Sequence, residues 1–149
     1  MERTVAMSIT CRRLSDAEFP QALAIRWRVF VDEQHVPPEL EQDEYDQTAV
    51  HFGAFDHGQM VGTGRIVIHG EKGKIGRLAV LKPYRGRGIG MQLLEAMVGY
   101  LTELGLSEAY LGAQIQAVGF YEKAGFAAEG ELFDDAGIPH RMMRKKLKK

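Results

Sequence analysis

One hexamer constrains this chain more than any other stretch: Arg85-Gly86-Arg87-Gly88-Ile89-Gly90. An apolar, strand-like run (residues 75–80) precedes it and a helical pattern (residues 92–104) follows it. A helix N-terminus presents unpaired backbone N–H groups and a partial positive charge of roughly half a unit. Glycines reach φ > 0 and let a ligand approach the backbone closely. Strand, glycine-rich turn and helix therefore make an anion nest suited to phosphate. Arg85 and Arg87 add guanidinium donors to it. The spacing excludes two familiar phosphate sites. No Lys-Ser/Thr pair follows Gly90, so the turn is not a P-loop, and glycines at 86, 88 and 90 do not fit G-x-G-x-x-G. Nor does a strand with an acidic end follow at the distance that ribose recognition requires.

Composition narrows the rest. A chain of 149 residues with 45% hydrophobic and 26% charged residues reads as one domain with one core, residues 1–149. A net charge of −1 argues against nucleic acid as a partner. The single cysteine, Cys11, allows neither an internal disulfide nor a multi-cysteine zinc site, and no metal is expected. Without an 18-residue apolar run or an apolar leader core, no membrane role is expected and a cytoplasmic location follows. Met7 is an alternative start to Met1.

Residues 7–13 read as a short strand. Ser15-Asp16-Ala17-Glu18 is a capping-box pattern ahead of a helix that carries Leu23, Trp27, Phe30 and Val31 on one apolar face. Val36-Pro37-Pro38 ends it. Seven acidic residues between 32 and 46 read as a solvated loop, with an acidic rim for a cationic amine as the functional alternative. Residues 50–56 and 59–69 form a hairpin about His57-Gly58, and Gly62 and Gly64 mark a bulge or a close backbone approach. Residues 74–80 are the third strand of the meander. After the nest, Ile89, Leu93, Leu94, Met97, Leu101 and Leu104 make an apolar helical stripe ending near Gly105. Residues 108–113 form a strand parallel to 74–80, because a helix crosses between them. A short helix with Ala117, Phe120, Tyr121 and Ala124 on one face precedes a last hairpin, 126–133 with 138–147. The six basic residues between 141 and 149 read as a charged edge strand.

Two motifs in fixed order carry a family resemblance. Arg85-x-x-Gly88-x-Gly90 fits the pattern [Q/R]-x-x-G-x-[G/A]. Phe120-Tyr121-Glu122-Lys123-Ala124-Gly125-Phe126 follows roughly 30 residues later, with a strand between. Together with Leu78-Ala79-Val80 they resemble the GCN5-related N-acetyltransferase (GNAT) superfamily across nearly the whole chain. Residues 29–34, 36–38, 43–46 and 135–140 look like the small bacterial YjcF/ElaA-like members. The resemblance implies an α/β (α+β) fold: a three-layer α-β-α arrangement whose mixed, mostly antiparallel sheet has a splayed parallel strand pair in its middle.

The resemblance also implies a reaction, acetyl transfer from acetyl-CoA to a primary amine in a ternary complex. Leu78, Ala79 and Val80 would hydrogen-bond the pantetheine arm through their backbones. The N–H groups from Arg85 through Gly86, Arg87, Gly88 and Ile89 to Gly90 would hold the pyrophosphate. Gln114 stands where many members have Asn and would bond the pantetheine or acetyl region. Tyr121 matches the general acid that protonates the leaving thiolate, which a phenol within reach can do. A backbone N–H near Val80 would stabilise the oxyanion. The proton acceptor is not legible, because residues 74–80 carry no carboxylate; Glu33, His51, His35 and His140 are the candidates, with Glu33 and His51 foremost, and a water chain with no dedicated base is the alternative. The acceptor is a small-molecule or peptide amine, and C-terminal edge strands leave room for a homodimer. The rival reading is a non-catalytic acyl-CoA-binding sensor or regulatory module.

Overall fold

The computed structural model describes residues 8–147; the alternative start at Met7 lies outside them. The chain runs β1 (Ile9–Arg13), α1 (Phe19–Arg26), a π-helical segment (Trp27–Glu33), α2 (Pro38–Glu41), β2 (Val50–Asp56) and β3 (Gln59–His69). It continues through β4 (Lys72–Val80), α3 (Ile89–Glu103), β5 (Glu108–Gln114), α4 (Val118–Lys123), β6 (Ala127–Asp135) and β7 (Ile138–Lys146). One seven-stranded sheet has the order β1-β2-β3-β4-β5-β7-β6. Only β4 and β5 pair in parallel; every other neighbouring pair is antiparallel.

Helices cover both faces. On one, Ile89, Leu93, Leu94, Met97 and Leu101 of α3 are buried against Phe52, Val61, Ile66 and Ile75. Burying each such leucine contributes about 1.5–3 kcal/mol. The close approach expected at Gly64 is that of α3: a Cβ there would lie 2.7 Å from Met97 Sδ. Leu104, expected to extend the stripe, falls one residue past the helix and is 49% exposed. On the other face, Ala22, Ile25 and Val29 pack with Leu14, Phe55, Met60 and Ala79. No helix among the described residues is long and apolar enough to cross a membrane.

Three sequence expectations are corrected here. The inward face of the first helix is Ala22, Ile25, Arg26 and Val29, and Trp27 is 48% exposed. Arg26 can hold a core position because its charge is fully paired, and it displaces the larger aromatic outward. The basic C-terminal strand is not an edge, since β7 lies between β5 and β6. Its cations are engaged locally: Arg144 pairs with Glu108 and Glu129, Lys145 donates to Ala124 O and Arg141 to Gly130 O. Finally, the acidic stretch is only partly solvated: it holds α2 and a 3₁₀ turn (Glu44–Gln47) with Glu41 and Asp46 buried, while Asp32, Glu33, Glu39 and Glu44 are exposed.

Candidate active site

β4 and β5 match only at Lys72 with Glu108, Gly73 with Ala109 and Lys74 with Tyr110. Beyond Lys74 the two strands separate while each keeps its outer partner, β3 or β7. A bulge sets the divergence. Thr63 faces Ala79 but Arg65 faces Gly76, so Arg77 and Leu78 oppose the single residue Gly64. Arg77 takes φ +53°, a left-handed conformation that is costly for a side-chain-bearing residue. Its guanidinium offsets that cost by donating to Glu41 O at 2.7 Å and to Asp43 Oδ2 at 3.3 Å.

A cavity of about 570 Å³ opens at this divergence on the α1 side of the sheet, lined by residues that include Phe30, Gln34, Leu78, Gly112, Gln114, Tyr121 and His140. Its far wall is fixed by an ion network absent from the sequence reading. Arg26 donates to Glu41 Oε2 at 2.6 Å and to Asp46 Oδ1 at 2.8 Å. Arg65 donates to Asp43 Oδ1 at 2.7 Å and to Asp46 Oδ1 at 3.0 Å. Three arginines and three carboxylates thus clamp α2 and the following turn onto α1, β3 and β4. Burial alone would raise the Asp46 carboxyl, but the hydrogen bonds and charge of Arg26 override it and hold the group at about 2. A partial sequence signal existed: Arg26 and Arg65 each sit directly beside apolar residues, in Ala24-Ile25-Arg26-Trp27 and Arg65-Ile66-Val67-Ile68.

The nest forms. Gly86 (φ +80°) and Gly88 (φ +78°) turn the chain into α3, and the first bond of the helix is Gln92 N–H to Gly88 O at 3.1 Å. Among the described residues, the N–H groups of Gly86, Arg87 and Gly88 donate to no turn or loop carbonyl. Those of Ile89 and Gly90 open the helix and lack intrahelical acceptors. Arg85 differs, since its N–H is engaged by Lys82 O at 3.2 Å. Its side chain donates to Val80 O and to Glu33 rather than reaching over the turn. Arg87 lies over the Tyr84 ring at 5.3 Å. Ala79 is buried.

Tyr121 stands on α4 with its ring edge-on to Phe120 and Phe126, centroids 5.0 and 6.1 Å away. Its hydroxyl bonds no group among the described residues, and burial pushes its pKa up to about 12. Gln114 donates to Gln34 Oε1 at 2.8 Å and accepts from Gln116 at 2.6 Å, so its amide is held at the end of β5. The structure brings Leu78, Gln114 and Tyr121 to one cavity. It does not bring the two foremost base candidates there. His51 stacks on Phe19 at 4.5 Å and donates Nε2–H to Asp46 O at 3.0 Å, on β2 away from the lining. Burial lowers its pKa. Glu33 is ion-paired at the end of the π-helical segment, and His35 is exposed at φ +62°.

A diverging parallel strand pair lies beside a glycine-turned helix N-terminus, with a phenol in the cleft, the arrangement of an acyltransferase fold. A model of the "Acetyltransferase (GNAT) domain" family matches residues 13–147, and the chain belongs to that family. It is 39% identical over 132 residues to the N-acetyltransferase YjcF of Bacillus subtilis, covering 88% of this chain and 94% of the relative. It is 30% identical over 139 residues to ElaA of Escherichia coli, covering 90% and 91% of the two chains. The crystal structure of ElaA superposes with a TM-score of 0.82 at 28% identity, covering 92% of this chain and 99% of that one. An acyl-CoA N-acyltransferase from Pseudomonas aeruginosa gives 0.81 at 32% identity, covering 92% and 97%.

Proposed function

We propose that this protein transfers an acetyl group from acetyl-CoA to a primary amine, by direct attack within a ternary complex. The observation that carries the reading is the splay itself: β4 and β5 part after Lys74, and free main-chain donors stand at the next turn. Groups of that kind grip a pyrophosphate without a side-chain charge. Leu78 and Val80 would bond the pantetheine arm, which requires Arg85 to leave Val80 O. Gln114, braced by Gln34, would orient the acyl end.

Acetyl-CoA supplies an activated thioester carbonyl. The chain supplies position and protons. The Tyr121 hydroxyl is held neutral, at about 12, by the same burial that would disfavour a departing thiolate beside it. The first keeps the proton on the phenol until sulfur departs, and the second raises the thiolate's demand for it. The acceptor is a small-molecule or peptide amine entering from the α1–α2 side, where the cavity opens. Isothermal titration with acetyl-CoA tests the reading: one site at micromolar to millimolar affinity is expected, and no heat at millimolar ligand overturns it.

A further inference from the structure

We propose that His140 takes the proton from the attacking amine, an assignment that rests on the acetyl-transfer reading above. His140 is buried, at 8% exposure, on β7, and it lines the cavity that also holds Tyr121 and Gln114. Its Nδ1 lies 2.7 Å from the Ile138 carbonyl oxygen. A carbonyl only accepts, so Nδ1 carries the hydrogen. In the neutral ring Nε2 is then the bare lone pair, and no hydrogen bond engages it among the described residues.

The surroundings fix the ring. His140 is the register partner of Gln114 on β5 and of Phe133 on β6, so the three side chains share one face. Phe133 packs on the imidazole at 5.7 Å. Gly112 makes the room: a Cβ there would lie 3.0 Å from Phe133 Cζ and 3.8 Å from His140 Cδ2. The other titratable groups sharing the cavity are Tyr121 on α4, Tyr110 on β5, His69 on β3, Lys74 on β4, Asp135 on β6 and Tyr45 in the Glu44–Gln47 turn, beyond the paired arginine–carboxylate network. Glu41 and Asp43 are ion-paired, with Arg26 and Arg65 respectively. His140 is thus an oriented base with a free lone pair in the cleft.

The protons balance as follows. The acceptor arrives as an ammonium ion, and one proton passes to His140 Nε2. The freed nitrogen lone pair forms the N–C bond, and the C–S bond breaks with its electron pair on sulfur. Sulfur takes the Tyr121 proton, and the phenolate takes the second proton from nitrogen. The imidazolium releases its proton to water, leaving an amide, a thiol and one proton.

The test compares the whole protein with His140→Gln, reading thiol release from acetyl-CoA against pH with two nucleophiles. One is n-butylamine, an ammonium ion at neutral pH that needs a base. The other is hydroxylamine, which is uncharged there and does not. The expected result is a fall of about 10²-fold or more in kcat/KM for the alkylamine with loss of the acid limb of its pH profile. Hydroxylamine turnover and acetyl-CoA affinity stay within about threefold. An equal fall with both nucleophiles, or an acid limb that survives in the variant, overturns the assignment. Long-range ¹H–¹⁵N spectra of the wild-type histidines provide a check that needs no variant: His140 must show the Nδ1–H tautomer, and Nε2–H overturns the proposal. If the wild type binds acetyl-CoA but releases no thiol with either nucleophile, the transfer reading and this assignment fall together; if only the pH and nucleophile contrasts fail, the transfer reading stands.

Discussion

Arg85 Nη2 lies 2.8 Å from Glu33 Oε1, joining the glycine-rich turn before α3 to the end of the π-helical segment across 52 residues of sequence. Glu33 is ion-paired, and the Arg85 side chain is drawn to Val80 O. Glu33→Gln should therefore leave kcat within about threefold. The exposed pair contributes only up to about 1 kcal/mol, so stability should barely move. Steady-state thiol release and thermal melting check both statements; a fall in kcat of two orders of magnitude would restore Glu33 to the chemistry.

Tyr121→Phe removes one oxygen from a hydroxyl that bonds nothing else in the described protein. The expected outcome is a loss of about 10²–10⁴-fold in kcat, with acetyl-CoA affinity unchanged within twofold. Parallel calorimetry and kinetics separate the two quantities. Unchanged kcat would take Tyr121 out of the reaction.

Gly88 takes φ +78° at the entrance to α3, and a Cβ there would meet nothing within 4 Å. Gly88→Ala therefore strains the backbone without a clash, at about 1–2 kcal/mol. A fall in Tm of about 2–8 °C is expected. Displacing a nest amide should weaken acetyl-CoA binding by about tenfold or more. Differential scanning calorimetry with and without ligand reads both effects.

Asp46 has a folded pKa of about 2 against an ordinary value of 3.8, and its side chain is 2% exposed. Because the folded value is the lower one, the carboxylate's contribution is fully present above about pH 4 and disappears as pH falls toward 2. The contribution is about 2 kcal/mol. Urea unfolding of wild type and Asp46→Asn at pH 6, 4, 3 and 2 should show two curves that converge on acidification. Parallel curves would mean that Asp46 does not titrate in that window.

Arg26 is 1% exposed and donates to both Glu41 and Asp46. Arg26→Ala leaves two buried carboxylates short of a partner, so a loss of about 3–5 kcal/mol is expected from denaturant unfolding. Because the network forms the cavity wall, the substitution should also raise KM for the acceptor.

Much of the chain was decided locally and was legible for that reason. The β2–β3 hairpin follows from two largely apolar runs closed by His57-Gly58, both left-handed here. The α3 stripe follows from 3.6-residue spacing, and the nest from glycines placed between a strand and a helix. Such features depend on neighbours in sequence, so the sequence by itself determined the order of the strands and longer helices and the glycine-rich turn before α3. The identity of the buried charges was another matter. Arg26, Arg65 and Arg77 come from three elements, and only their convergence on Glu41, Asp43 and Asp46 makes burial tolerable. Likewise, which histidine enters the cleft depends on the β5–β7 register and on which face each strand presents, and that set His140 inside and His51 outside. A side chain's pairing and direction are properties of packed neighbours distant in sequence, so the tertiary structure alone could decide them.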